Sequence, residues 1–248
     1  MKMRILGVNS PYPRHGQATL GYFVTEEDAG WLLDSGCGIY RRLNEDHLFA
    51  KLDAVILTHL HYDHCADLPA VVLGATVGQG RERPLPVFLP PGETARLEKW
   101  LEACGFGFAA AYMDIREFSY GQATMQGNMA ITMLEARHSL PAGILALAAG
   151  GRRLIYTGDT GDCPGLREAV SGADLLLAEA CSLPQDVAAE KGHLPARILG
   201  VLARQAEVKE LVITHLMEGQ DPEVLIQQTS EAFGRKVHLA MEGQTYEI

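Results

Sequence analysis

Four residues of metal-binding type lie within six positions, directly after a short apolar segment. The apolar segment is Ala54–Leu57, and the four residues are His59, His61, Asp63 and His64. Imidazole nitrogen and carboxylate oxygen are common ligands of first-row divalent metals, and a tight turn lets neighbouring side chains diverge toward two centres. The spacing therefore favours a site for two divalent metals, with zinc as the default and manganese or iron as alternatives.

The clustering of these histidines argues against a purely structural role. A single histidine is more often a core or surface residue than a ligand. Of the nine histidines, however, five lie at or just beyond the ends of predicted strands. Buried without partners, such polar groups would cost about 1–3 kcal/mol each. Gathered at one edge of a sheet, they can form a site instead.

The first half of the chain is predicted to begin with strands and to continue with two helices separated by a strand. Aliphatic and β-branched runs between Gly, Pro and Asp indicate the strands, and helical spacing of apolar residues indicates the helices. The predicted strands are Met3–Val8, Thr19–Thr25, Gly30–Asp34, Ala54–Thr58 and Val87–Leu89, and the predicted helices are Leu68–Val77 and Thr94–Cys104.

The second half repeats this order, with strands first and then alternating strands and helices. Pro195 and Pro222 are placed to begin the two helices. The predicted strands are Met129–Ala136, Ile144–Ala149, Arg152–Tyr156, Asp174–Glu179, Glu210–Thr214 and Lys236–Ala240, and the predicted helices are Pro195–Gln205 and Asp221–Phe233.

Two successive blocks of this kind predict two sheets packed face to face with helices outside, an αββα four-layer sandwich of the α/β class. A doubly wound parallel sheet is the rival, but it requires regular alternation from the start and a Gly-rich first turn. Because no linker or repeat interrupts the chain, residues 1–248 are predicted to form a single domain.

The segment Thr58–His64, with the Cys-Ala-Asp-Leu that follows it, resembles the signature loop of the metallo-β-lactamase superfamily. Three later positions resemble the remaining ligands of that family, and the resemblance covers essentially the whole chain. It implies the metallo-β-lactamase fold and seven ligands for two metals. These are His59, His61 and His138 for one metal, Asp63, His64 and His215 for the other, and Asp159 as the bridge.

Two carboxylates in or near the segment Thr58–His64, here called the metal loop, are assigned further roles. The Asp-x-Gly-x-Gly that begins at Asp34 also resembles the family, and by that resemblance Asp34 orients a ligand instead of binding metal. Asp63 could additionally steer a proton of the attacking hydroxide.

A second pair of residues resembles motifs of ribonuclease Z. These are Glu179 of a Glu-Ala segment and His193 of Gly-His-Leu. In that group the Glu orients the His, which assists proton transfer to the leaving oxygen during phosphodiester cleavage. The alternative is that His193 caps the following helix and Glu179 faces solvent.

The resemblance implies a metal-dependent hydrolase, and three functions remain open. The first is a phosphodiesterase that acts on a nucleotide, an RNA end or another small phosphodiester. The second is a hydrolase of esters, thioesters or lactones, and the third is a catalytically silent metal-binding protein. Asp rather than Cys at position 159 argues against class B β-lactamases, and no long basic Gly- and Pro-rich arm for gripping transfer RNA is found.

Composition agrees with a small-molecule or nucleotide substrate. Lys and Arg number 21 against 31 Asp and Glu, so the net charge of −10 would repel a long polyanion. The longest apolar runs are too short to cross a membrane, and no signal peptide is predicted. The five scattered cysteines indicate no disulfide framework, which fits a cytoplasmic location.

Two further segments are interpreted from their local patterns. The apolar segment Pro69–Gly74 could pack across a homodimer, with core packing as the equal alternative. Residues that follow the first strand, Ser10 among them, could contact substrate, but ordinary turn chemistry is the favoured interpretation.

Overall fold

The computed structural model describes residues 1–248 and divides into two compact units. The N-terminal unit comprises Lys2–Ser119 with Glu242–Glu247, and the C-terminal unit comprises Tyr120–Met241 with Met1 and Ile248. Each unit has its own mixed seven-stranded sheet and its own apolar core. The rival of one doubly wound parallel sheet is therefore wrong, whereas the single domain spanning 1–248 stays a prediction.

The sheet of the N-terminal unit has the order β16-β1-β3-β4-β5-β6-β7, with a short additional strand, β2. Its first three pairings are antiparallel and its last three are parallel. The strands are β1 (Lys2–Gly7), β2 (Asn9–Ser10), β3 (Gly21–Glu26), β4 (Ala29–Leu33), β5 (Leu52–Ile56), β6 (Leu85–Leu89), β7 (Met113–Glu117) and β16 (Thr245–Glu247).

Four α-helices belong to this unit, and segments of 3₁₀ or π helix occur at 49–51, 74–78 and 107–112. The α-helices are α1 (Ile39–Glu45), α2 (Tyr62–Cys65), α3 (Leu68–Leu73) and α4 (Thr94–Ala103). Alternate residues of the strands, such as Val87 and Leu89 of β6, are buried in one cluster with apolar residues of α1, α3 and α4. The predicted segment 69–74 is part of this packing, because Pro69, Val71 and Val72 are buried. A homodimer stays a prediction.

The sheet of the C-terminal unit, β15-β13-β12-β11-β10-β9-β8, repeats the same pattern. Three antiparallel pairings at one side give way to three parallel pairings at the other. The strands are β8 (Ala123–Gln126), β9 (Met129–Glu135), β10 (Gly143–Ala149), β11 (Arg152–Tyr156), β12 (Leu175–Glu179), β13 (Glu210–Thr214), β14 (Leu216–Met217) and β15 (His238–Leu239).

The helices of this unit are α5 (Pro164–Ala169), α6 (Gln185–Lys191), α7 (Ala196–Gln205) and α8 (Pro222–Phe233). Apolar residues of α5, α7 and α8 are buried against alternate residues of the sheet. Pro222 is the first residue of α8, as predicted, and Pro195 directly precedes α7. The helix predictions omitted α1, α2, α5 and α6, which span only four to seven residues and show too few turns for a period to be read.

The cysteines and the helices bear on two features of the composition. All five cysteines are free thiols. No helix combines the length and the apolar character needed to cross a bilayer.

Gly36, which follows β4, packs closely against the backbone of the metal loop. A Cβ at Gly36 would overlap the carbonyl oxygen of Asp63 and the hydroxyl of Thr19, and the Gly36 amide donates to the carbonyl of Leu20 over 2.9 Å. The backbone after β4 therefore approaches the backbone of α2 as closely as a residue without a side chain permits.

We expect Gly36→Ala to lower the free energy of unfolding by about 1–3 kcal/mol, because the added methyl must displace main chain in a packed region. Urea unfolding would measure this. Gly78→Ala is the matched control, since its Cβ would meet only one atom, at 3.8 Å. Equal stability of the two variants would contradict the close approach.

Candidate metal centre

The four candidate ligands of the N-terminal unit follow the carboxyl end of β5. His59 and His61 lie in the connection, and Asp63 and His64 lie in the one-turn helix α2. His59, Asp63 and His64 are buried, and His61 is half-buried. The segment predicted as a tight turn is thus a connection followed by a helical turn, which separates the first two side chains from the last two.

His59 and His61 face each other through one nitrogen of each ring. The distance from His59 Nε2 to His61 Nδ1 is 2.9 Å. Two nitrogens bound tetrahedrally to one zinc at its usual bond length would be about 3.3 Å apart. The observed separation is a hydrogen-bonding distance and is shorter than that, so it shows that the two rings face each other closely.

Asp34 fixes the orientation of two of these rings. Its carboxylate accepts hydrogen bonds from the Thr58 amide over 2.8 Å and from the Thr58 hydroxyl over 2.9 Å, and it lies 2.7 Å from His64 Nδ1. Because the Thr58 proton is donated to Asp34, His59 Nδ1 is the donor in its 3.1 Å contact with Thr58 Oγ1. Both His59 and His64 then present Nε2 as the nitrogen with a lone pair.

Three more candidate ligands lie beyond strand ends of the C-terminal unit. His138 follows β9, Asp159 follows β11 and His215 follows β13. All three side chains are only 3–4% exposed, and Asp159 Oδ2 lies 3.1 Å from His215 Nε2 and 3.8 Å from His138 Nε2. His215 has a φ of 57°, a conformation uncommon for residues other than glycine that is often found at functional sites.

His138 is held by a main-chain carbonyl from a distant part of the sequence. Its Nδ1 lies 3.1 Å from the carbonyl oxygen of Gly192, the residue that ends α6 with a φ of 72°. Because a carbonyl only accepts, Nδ1 carries the proton and Nε2 carries the lone pair, which is the usual state of a metal-binding histidine. His138 could be identified as a candidate ligand from the sequence, whereas the contact with Gly192 could not.

Glu179 and His193 form a hydrogen-bonded pair in the same unit. Glu179 ends β12, is fully buried, and lies 2.9 Å through Oε2 from His193 Nδ1. Its other oxygen accepts from the Thr160 amide over 2.6 Å. Burial lowers the pKa of His193, but the hydrogen bond and the negative charge of Glu179 outweigh this and raise it. The alternative in which Glu179 faces solvent is therefore wrong.

His193 lies among the candidate ligands. Its ring centroid is 5.5 Å from that of His138 and 5.4 Å from that of His215. Possible metal-binding atoms of Asp159, His193 and His215 all lie within 4.8 Å of one another. The ionisable side chain of His193 therefore lies close to any ion or molecule bound by these candidate ligands.

The donors fit divalent metals. Imidazoles and carboxylates without a thiolate suit zinc, manganese or iron. His59, His64 and His138 each have Nδ1 engaged by an oxygen of Thr58, Asp34 and Gly192, respectively. Such contacts to the far side of the ring are typical of metal-binding histidines, because they fix the ring and its tautomer.

This fold and these donors define a metallo-hydrolase with the metallo-β-lactamase fold. The chain matches the family described as "Beta-lactamase superfamily domain" over residues 31–216, and it belongs to that superfamily. The predicted fold class is thereby confirmed.

Two curated relatives align with the whole chain. Probable metallo-hydrolase YhfI of Bacillus subtilis is 26% identical over 251 residues, covering 100% of both chains. Ribonuclease Z of Myxococcus xanthus is 27% identical over 303 residues, covering 100% of this chain and 98% of the relative.

Solved structures share the fold. The crystal structure of Bacillus subtilis YhfI has a TM-score of 0.87 at 24% identity and covers 99% of this chain and 98% of its own. Human tRNase Z, short form, has a TM-score of 0.78 at 20% identity and covers 100% of this chain and 99% of its own.

We expect Gly192→Ala to weaken metal binding about 10- to 100-fold, because a Cβ there would lie 3.0 Å from both Cα and Nδ1 of His138 and disturb its orientation. Zinc titration against a chromophoric chelator would measure the change. Gly234→Ala is the matched control: this glycine also ends a helix at positive φ (77°), but its Cβ would meet nothing within 4 Å. Equal metal affinity of the two variants would show that Gly192 does not orient His138.

Proposed function

We propose that this protein is a metal-dependent phosphodiesterase resembling ribonuclease Z, acting on a nucleotide, an RNA end or another small phosphodiester. The observation that carries the proposal is the buried Glu179 bonded to His193 beside the candidate ligands. A thioester needs such an acid less, because a thiolate is easier to expel than an alkoxide, whereas an ester or lactone also expels an alkoxide and is distinguished from a phosphodiester by direct assay.

The metal centre that we propose is the one implied by the family resemblance, with seven ligands and two divalent ions, zinc by default. Orientation of His59, His64 and His138 through Nδ1 supports their assignment. The first metal would be held by His59, His61 and His138, the second by Asp63, His64 and His215, and Asp159 would bridge them.

Bound divalent metals generate a nucleophile from water at neutral pH and stabilise the charge that develops on the phosphoryl oxygens. The protein supplies the remaining steps. Asp63 accepts a proton of the attacking water. His193 donates a proton from Nε2 to the leaving oxygen as the phosphorus–oxygen bond breaks, and Glu179 stabilises the imidazolium through Nδ1 before that transfer.

A small substrate agrees better with this chain than transfer RNA does. The alignment with ribonuclease Z of Myxococcus xanthus extends over 303 residues although this chain has 248, so that relative contains segments without a counterpart here. The net charge of −10 opposes a long polyanion. Both observations support a mononucleotide, an RNA end or a comparable diester.

We expect the zinc-loaded protein to hydrolyse bis(p-nitrophenyl) phosphate faster than p-nitrophenyl acetate or a thioester, and to lose that activity on metal removal. Steady-state absorbance assays would measure it, with Asp159→Ala as the control for contaminating enzymes. Preference for acyl substrates would favour the ester, thioester or lactone alternative. Absence of turnover at full metal occupancy would favour a silent metal-binding protein.

The acid role of His193 predicts a dependence on the leaving group. We expect His193→Ala to slow cleavage of a dinucleoside monophosphate, which expels an alkoxide, by about 10²–10⁴-fold. Bis(p-nitrophenyl) phosphate should lose much less, because nitrophenolate needs little protonation. His238→Ala, which removes a half-buried histidine of β15, is the control. Equal loss with both substrates would refute the acid role.

A further inference from the structure

We infer that Ser10 is a positioning residue for the Asp63 carboxylate and that its hydrogen bond sets the affinity of the metal that Asp63 holds. The inference rests on the metal-binding part of the proposed function. It concerns a residue that the sequence analysis interpreted as part of a turn.

The contact is direct and shielded from solvent. Ser10 Oγ lies 2.8 Å from Asp63 Oδ2, and the two residues are only 4% and 6% exposed. An ionised carboxylate only accepts hydrogen bonds, so the hydroxyl is the donor and the bond is charge-assisted. A charge-assisted hydrogen bond of this kind is stronger than a hydrogen bond between two neutral groups.

The short strand that carries Ser10, β2, is itself held in place by hydrogen bonds. The amide of Asn9 donates to the carbonyl of Ala18 over 3.2 Å, and the Asn9 side chain donates to the same carbonyl over 3.3 Å. Arg14 donates to the side-chain oxygen of Asn9 over 3.1 Å. These hydrogen bonds fix β2 and thereby the position of the Ser10 hydroxyl.

The main chain of Asp63 is fixed independently of Ser10. The Leu20 amide donates to the Asp63 carbonyl over 3.1 Å, and Gly36 packs against that same carbonyl. What these contacts leave undetermined is rotation of the carboxylate about its last torsion, which is broad for aspartate. The Ser10 hydrogen bond restricts that torsion.

The arrangement has a counterpart one residue later in α2. His64 is oriented by Asp34 through the ring nitrogen opposite Nε2, over 2.7 Å. Asp63 and His64, which are assigned to the same metal, therefore each have a partner that contacts no metal and fixes their orientation. Removing such a partner typically costs about 10- to 100-fold in metal affinity.

The test is zinc titration of Ser10→Ala in competition with a chromophoric chelator, with the visible spectrum of the cobalt-substituted protein as a second readout. We expect one of two metal equivalents to bind about 10- to 100-fold more weakly, with altered cobalt bands and the other equivalent unchanged. In an Asp63→Ala background, Ser10→Ala should have no further effect, because it acts through Asp63.

Ser35→Ala is the matched control. Ser35 is also a fully buried serine of the N-terminal unit, but its hydroxyl makes no hydrogen bond. Wild-type affinity for both equivalents in Ser10→Ala, an equal loss in Ser35→Ala, or an additive loss in the Asp63→Ala background would each overturn the inference. A wild-type protein that binds two metals without cleaving phosphodiesters would refute the proposed reaction alone, whereas one that binds no metal would refute both.

Discussion

The metal loop depends on one buried carboxylate. Asp34 is fully buried, with a φ of 58°, and a buried charge is tolerated only when it is paired and hydrogen-bonded. The Thr58 amide and hydroxyl and His64 Nδ1 meet that requirement. Because His59 in turn contacts Thr58, a single carboxylate sets the tautomers of two candidate ligands. The positive φ of Asp34 lies in the left-handed region, which aspartate adopts more readily than most residues.

The topology explains why this carboxylate lies beside the ligands. Strand β4 pairs in parallel with β5, with Leu33 opposite Ile56, so the residues that follow both strands emerge at the same end. The C-terminal unit repeats the device: β11, β12 and β13 are parallel neighbours, and they are followed or ended by Asp159, Glu179 and His215. Parallel pairing gathers side chains that are distant in sequence.

The candidate ligands could be predicted from sequence because residue type and position after a strand suffice for them. The contacts that orient the ligands could not, since Gly192 lies 54 residues from His138 and Ser10 lies 53 from Asp63. Hydrogen bonds over such separations leave no periodic pattern. Likewise α2 was expected as a turn, because its four residues make only one turn of helix.

The ligands and the proposed chemistry carry different information. The chain belongs to the metallo-β-lactamase superfamily, and the seven candidate ligands are of types that indicate the use of metals but do not identify the substrate. In the proposed scheme Glu179 and His193 are not needed to hold the ions. Burying an acidic side chain against an imidazole nevertheless costs free energy, and a catalytic role for the pair would account for that cost. In the proposed scheme the reaction is therefore better inferred from this pair than from the candidate ligands, because the pair bears on proton transfer to the leaving group.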